Sequence, residues 1–445
     1  MTQQAQASAS LSLAAELAGR ARTAAWQLAT LSDELRREAL LAAAARLEQR
    51  SAEILAANAR DCAAAGALVE QGQMSRALFK RLQTSEQGVK DMAVHVRQVA
   101  GLEDPLGREL ATTELDDGLV LHKVSCPLGV VAVIFEARPE VAPQVASLAL
   151  RSGNALLLKG GSEAEHTNRA LAAIWREALR DFPEIPQDSL QALYTREDIK
   201  ELLSLDHQID LIIPRGSQEF VDYISRHSRI PVLGHGSGVC HVYVDQAADM
   251  QKAVAVTLDS KVQYPAVCNA AETLLVHTAI APVFLPQMLR EFAGAGVEVR
   301  GCPRTLALGS AYGVVPAAEA DWETEYSDLI ISVKIVDNLQ EAIAHINRWG
   351  SKHTDAIVTE DAKAAAEFMD RVDGANVYHN VSTRFSDGFR YGFGAELGIS
   401  TGKLHARGPV GLEGLTTYKY KLVGNGHTVA GYARGERTFR HRKIR

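Results

Sequence analysis

The chain has 445 residues, 47% of them hydrophobic and 23% charged, with a net charge of −7. That length suits two or three domains with an ample core, and the mild acidity gives no electrostatic case for nucleic acid or an anionic membrane. No apolar run approaches the ~20 residues needed to cross a bilayer. The five cysteines form no CxxC pair, so neither a zinc site nor a disulfide framework is expected, and a reducing cytoplasm fits free thiols.

The N-terminal stretch MTQQAQASASLSLAAELAGRARTAAW lacks a basic start, and Glu16 interrupts its apolar part, so it reads as native structure rather than a targeting segment. Residues 11–100 read as helices. SDELRREALLAAAARL places a cap at Ser32, acids in the first turn, and Leu40, Leu41, Ala44 and Leu47 on one face. After about residue 119 the pattern changes: GLVLHKVSC (118–126) alternates like a two-faced strand, and GVVAVIF (129–135) is continuously apolar, as a buried parallel strand should be. Helical VAPQVASLALRSG, strand-like NALLLKG (154–160) and helical EAEHTNRALAAIWREALR follow. QALYT, IDLII (209–213), HVYV (241–244), TLLVH (273–277), LIISVKIV (329–336) and DAIVT (355–359) are further strands. Strands alternating with helices predict an α/β protein with mainly parallel sheets. GHGSGVC (234–240) is the expected hinge between two α/β lobes. The basic end RGERTFRHRKIR (434–445) reads as a solvated tail, with a nucleic-acid arm as the alternative.

Several stretches could carry chemistry. In NALLLKGGSEAEH a buried strand ends at Lys159 and two glycines lead into a helix, where a lysine can reach a nucleotide's ribose or phosphate. A tight turn with a surface lysine is the alternative. In IDLIIPRGSQEFV, Gly216 and Ser217 open a helix whose free N–H groups favour an anion, although GSQE is not GxGxxG. Cys268, in YPAVCNAAET, is a nucleophile or a packing residue; its backbone N–H and Asn269 are candidate oxyanion donors. Cys62 and Cys240 read as packing residues. His345 reads as a core histidine, whereas His353, before Thr354 and Asp355, suits a site edge. The glycine-rich stretch 380–420 is functional or assembly-forming.

These residues together resemble the glutamate-5-semialdehyde dehydrogenase (γ-glutamyl phosphate reductase) family of the aldehyde dehydrogenase superfamily, over roughly residues 10–425. The family's signature V-x5-A-[LIV]-x-H-I-x2-[HY]-[GS]-[ST]-x-H-[ST]-[DE]-x-I is met by Val336, Ala342, Ile343, His345, Ile346, Gly350, Ser351, His353, Thr354, Asp355 and Ile357, with Trp349 in place of His or Tyr. FEARPEV, YPAVCNAAETLLV, NVSTRF and KLHARGPVGLEGLTTYKY are similar to the same family.

The resemblance implies an aldehyde-dehydrogenase-like α/β fold. A Rossmann-like NADPH-binding domain would take residues 1–112 and 129–236, and a catalytic domain 237–382. A small β oligomerisation element would take 113–128 and 403–423, leaving 424–445 as a tail. It also implies NADPH-dependent reduction of L-glutamyl 5-phosphate in proline biosynthesis, with Cys268 forming a thioester. Lys159, Gly216, Ser217 and Glu325 would hold the cofactor, and Arg138, Arg384 and His353 the substrate, with Lys403 and Arg407 as further cations. The segment 230–239 carries no acid where aldehyde-oxidising relatives place a water-activating glutamate, which spares a thioester from hydrolysis. Expected partners are a second copy of the chain, as dimer or tetramer, and a glutamate 5-kinase. Two rival readings are a CoA-dependent acylating semialdehyde dehydrogenase and a non-catalytic binding protein using the basic tail.

Overall fold

A computed structural model describes residues 12–445 except 196 and 235. The readings of residues 1–11 and of His235 in the expected hinge therefore lie outside the described residues. The chain divides into two compact units, one running to Leu233 and resuming at Gly411–Arg445, the other Gly234–Val410.

The first unit begins with helices Leu13–Leu28, Asp33–Gln49, Ser51–Glu70, Arg76–Leu82 and Glu86–Ala100. Ser32 caps the second, its hydroxyl accepting the Leu35 N–H at 3.3 Å. Leu40, Ala44 and Leu47 are buried on this helix, but Leu41 is 39% exposed. One residue turns a helix by about 100°, which carries Leu41 off the stripe expected to include it. Two buried guanidiniums tie the helical layer down. Arg36 donates to the Arg151 carbonyl and to Asp104 at 2.8 Å, while Arg151 pairs with Asp33 and donates to the Leu102 carbonyl. A buried charge without such partners would be strongly destabilising.

An antiparallel hairpin, β1 (Glu109–Asp116) and β2 (Leu119–Pro127), leads into a parallel sheet. That sheet contains β3 (Val130–Phe135), β4 (Ala155–Gly160), β5 (Leu190–Leu193) and β6 (Leu211–Arg215) in the order β5-β4-β3-β6. Every residue of β3 and β4 is buried, each large apolar side chain contributing about 1.5–3 kcal/mol. From β3 the chain winds to β4 and β5, then returns to β6 on the other side. The carboxyl ends beside β3 are thus a topological switch point, where open α/β sheets bind ligands.

The second unit is built on a seven-stranded parallel sheet: β7 (Cys240–Val244), β8 (Ala271–His277), β9 (Glu298–Gly301), β10 (Val315–Pro316), β11 (Ile330–Val336), β12 (Thr354–Val358) and β13 (Asn376–His379). Their order is β10-β9-β11-β8-β7-β12-β13. A short antiparallel pair, β14 (Ile399–Ser400) and β15 (Gly408–Pro409), closes the unit.

Back in the first unit, β16 (Thr416–Val423) and β17 (Arg442–Lys443) extend the hairpin to the order β16-β2-β1-β17. The basic end departs here from a freely solvated tail. β17 pairs with β1, and Arg437, Arg440 and Arg442 meet Asp116, Asp117 and Glu114. Acids on β1 and Asp117 just after it thus pair with three of the cations of the basic end.

The two neighbouring leucines test this packing. Leu40→Ala is expected to cost about 2–5 kcal/mol and Leu41→Ala less than about 0.5 kcal/mol, measured by urea unfolding.

Candidate active site

In the first unit a cavity of about 310 Å³ opens beyond the carboxyl ends of the parallel strands, lined by Phe135, Glu136, Lys159, Gly161, Ser162 and Phe220 among others. Lys159 is 3% exposed and donates from Nζ to the Gly160 carbonyl at 2.6 Å, so it is a buried wall residue rather than a surface lysine. The backbone is close-packed here: a Cβ on Gly161 would lie 2.0 Å from the Glu163 carboxylate, and one on Gly216 would lie 2.4 Å from that of Glu136, so a side chain at either position would displace those carboxylates. The helix opened by Gly216 and Ser217 (Gln218–His227) does not present all its N–H groups to a ligand. Ser217 donates its N–H to Glu136 Oε2 at 3.0 Å, and its hydroxyl accepts the Phe220 N–H. The chain's own carboxylate occupies part of the anion site. Arg138 lies on the same side, in the turn after β3, where Ala137 has φ 32°.

In the second unit, the helix Met250–Val262 and β8 are joined by a loop that ends in a turn. The Val267 carbonyl accepts the Ala270 N–H at 2.9 Å, putting Cys268 and Asn269 at the turn's corner. Gly238 packs against this backbone so closely that a Cβ there would sit 1.9 Å from the Cys268 carbonyl oxygen. The Cys240 thiol donates to the same oxygen at 3.2 Å, and burial pushes that thiol's pKa well up, keeping it protonated. Cys240 therefore packs, as expected, but it packs on the candidate nucleophile. Cys268 is partly exposed, and its Sγ lies 3.1 Å from Nε2 of the fully buried His353. On the other ring edge His353 Nδ1 is 2.8 Å from the Thr354 hydroxyl. Asn376 donates from Nδ2 to the His353 carbonyl at 2.9 Å and contacts the same hydroxyl at 3.3 Å.

A family model for the aldehyde dehydrogenase family matches residues 2–300. The γ-glutamyl phosphate reductase of Natronomonas pharaonis is 54% identical over 413 residues, covering 93% of both chains. That of Pelotomaculum thermopropionicum is 53% identical over 429 residues, covering 96% of this chain and 97% of its own. The chain belongs to the γ-glutamyl phosphate reductases of the aldehyde dehydrogenase family. A crystal structure of the Thermotoga maritima γ-glutamyl phosphate reductase superposes with a TM-score of 0.90 at 41% identity, over 93% of this chain and 99% of that one.

Within this reductase-family oxidoreductase the remaining sequence expectations divide clearly. Asn269 is 5% exposed and donates from Nδ2 to the Ser386 carbonyl at 2.7 Å, a tether to the 383–386 turn that nothing in the sequence displays. Arg384, in that turn, is buried; its Nε donates to Gln263 at 2.9 Å, and burial lowers its pKa while the nearby Cys268 sulfur raises it. No partner for its Nη atoms occurs among the described residues. Glu325 reaches the Gly238 backbone, and burial pushes its carboxyl up against that hydrogen bond. Lys403 and Arg407 do not join this group. Both pair with Asp373 at 3.0 Å, together with Lys352, and hold its carboxyl down to about 2. The structure thus gathers Lys403 and Arg407 on one carboxylate, which leaves the cluster with an excess of positive charge. His345 is a core residue as expected, edge-on to His241 and Trp322, with burial pushing it down to about 2.

One ion pair was not legible beforehand. Lys261 and Glu272 are both fully buried and pair at 2.6 Å, flanking the loop of the candidate nucleophile. Burial pushes Glu272 up to about 7 against the pull of Lys261, and the Ser327 N–H also approaches the carboxylate at 3.4 Å. Lys261→Met, which orphans Glu272, should destabilise the protein by roughly 3–5 kcal/mol, and adding Glu272→Leu should recover most of that loss. Urea unfolding of the two variants measures the difference.

Proposed function

We propose that the chain reduces L-glutamyl 5-phosphate to L-glutamate 5-semialdehyde with NADPH, through a thioester on Cys268, as a step of proline biosynthesis. The observation that carries this reading is the Cys268 turn. A partly exposed thiol sits there with its backbone clamped by Gly238 and Cys240, beside an imidazole. Such a thiol can displace phosphate from an activated acyl group. The relatives' names, at better than 50% identity over nearly the whole chain, support γ-glutamyl phosphate as the acyl donor.

The cavity suits the nucleotide end of a cofactor, with Lys159 for ribose or phosphate, Phe135 and Phe220 as apolar walls, and glycines that allow close approach. Gly216, Ser217 and Glu325 complete the proposed cofactor set. Bound NADPH supplies the hydride that reduces the thioester.

The chain's own residues do the rest. The sulfur of Cys268 attacks the acyl carbon, and the buried Arg384 guanidinium stabilises the phosphate as it departs. The Cys268 backbone N–H and the remaining Asn269 amide hydrogen serve the oxyanion. Arg138 is the proposed further cation for a substrate anion. Because an acyl phosphate hydrolyses readily, a glutamate 5-kinase is the proposed supplier. A reducing cytoplasm, where all five cysteines stay free as they are here, is the proposed compartment. Homo-oligomerisation is supported by β16, an edge strand exposing Tyr418, Tyr420, Leu422 and Val423.

Running the reaction backwards tests the proposal. Glutamate semialdehyde should drive NADP+ reduction only when phosphate is added, and CoA should not replace phosphate; CoA-dependent, phosphate-indifferent activity would instead assign an acylating dehydrogenase. Cys268→Ser should bind NADPH normally and lose turnover by more than about a thousandfold. Substantial activity in that variant rules out the thioester.

A further inference from the structure

We propose that His353 is the catalytic acid–base of the reaction, taking the Cys268 proton at Nε2, and that Thr354 and Asn376 are positioning residues that hold the ring in the tautomer this requires. The proposal rests on the thioester reading and assigns His353 a role other than substrate binding.

The argument begins with the ring's two edges. Nδ1 faces the Thr354 hydroxyl at 2.8 Å and the Cys240 thiol at the longer distance of 3.7 Å. Asn376 Nδ2 donates toward Thr354 Oγ1 at 3.3 Å, which orients the hydroxyl and leaves its oxygen a second lone pair for an Nδ1–H. Cys240, for its part, directs its S–H to the Cys268 carbonyl. In the proposed tautomer the ring proton sits on Nδ1 and is donated to Thr354 at 2.8 Å. A neutral imidazole with hydrogen on Nδ1 has a lone pair on Nε2, and Nε2 is the atom 3.1 Å from Cys268 Sγ. Asn376 also holds the His353 carbonyl, and the Tyr391 hydroxyl donates to Asn376 Oδ1 at 2.9 Å. The support thus runs unbroken from β13 to the ring. A base oriented by a third group and within reach of a nucleophile is the arrangement that activates a thiol.

The step balances as follows. The S–H bond breaks and its proton moves to Nε2. The sulfur lone pair forms the C–S bond as the acyl carbon–oxygen bond to phosphate breaks, and phosphate leaves with the proton returned from Nε2. When the thioester is reduced, the C–S bond breaks towards sulfur, and one proton from solvent, passed through Nε2, restores the thiol. Nothing is oxidised or reduced in the first half, and hydride from the NADPH of the proposed function reduces the thioester carbonyl in the second.

The titratable groups around the pair are few. Cys240 on β7 stays protonated, His241 and Asp355 pair with each other at 3.0 Å, Glu272 on β8 is matched by Lys261, and Arg384 supplies positive charge that favours the thiolate.

The test separates this proposal from the one beneath it by following alkylation of Cys268 by iodoacetamide as a function of pH, read site by site by mass spectrometry with no substrate present. Wild-type protein should react well below the pH of an ordinary thiol, near 8.5. His353→Gln should move the midpoint up to that value and slow turnover by roughly a hundredfold or more, with NADPH binding unchanged. Thr354→Val, a gentler change, should shift the midpoint in the same direction by a smaller amount, and imidazole should partly restore turnover to His353→Gly. An unshifted midpoint in either variant, or turnover within about threefold of wild type in His353→Gln, overturns the assignment even if Cys268→Ser proves inactive. Activity surviving in Cys268→Ser would instead bring down the thioester reading.

Discussion

The hydrogen bond between the Cys268 thiol and the His353 imidazole joins residues borne by strands that are not neighbours. Cys268 precedes β8 and His353 precedes β12, with β7 lying between them. The contact therefore depends on the order β8-β7-β12 and on all three strands starting at one level. Parallel register does this: Cys240 of β7 aligns with Ala271 of β8, and His241 aligns with Asp355 of β12. Cys240, first in the middle strand, then touches both partners. A one-residue slip would send alternate side chains to the opposite face and separate thiol from imidazole.

The two units use their sheets from opposite ends. In the first, Glu136, Lys159 and Gly216 stand at the carboxyl ends of β3, β4 and β6, where helix N-termini begin and a phosphate-bearing ligand is favoured. In the second, Cys240, Cys268 and His353 stand at the amino ends of β7, β8 and β12. The general rule for open α/β sheets finds the first group and misses the second. Thiol chemistry does not need helix N–H groups; it needs a base, a cation and a rigid turn, which strand starts can provide.

Rigidity around the thiol comes from polar groups that cost free energy to bury. Lys261–Glu272, His241–Asp355 and Asn269–Ser386 all lie out of solvent around one turn. Buried pairs of this kind contribute little net stability and are best regarded as specifying one geometry. The two buried arginines of the first unit, Arg36 and Arg151, do the same for its helices.

From sequence alone the α/β class, the four strands of the first parallel sheet, the four central strands of the second and the N-terminal helices could be read, because continuous apolar runs and capped periodic segments are local consequences of local chemistry. The short strands β9, β10 and β13 to β15 and the late-pairing β17 carry no such run. The signature residues of 336–357 likewise pointed to the family, and the stretch YPAVCNAAETLLV to Cys268. What folding decided is which distant groups meet. That His353 faces the sulfur, that Lys403 and Arg407 converge on Asp373, and that the basic end lies along β1 all depend on contacts across long stretches of chain. Leu41 makes the same point in miniature, since an apolar stripe shows which residues can be buried, while the neighbouring layer decides which of them are. Charge and hydrogen bonding act through space rather than along the backbone, so their partners appear only once the strands are ordered.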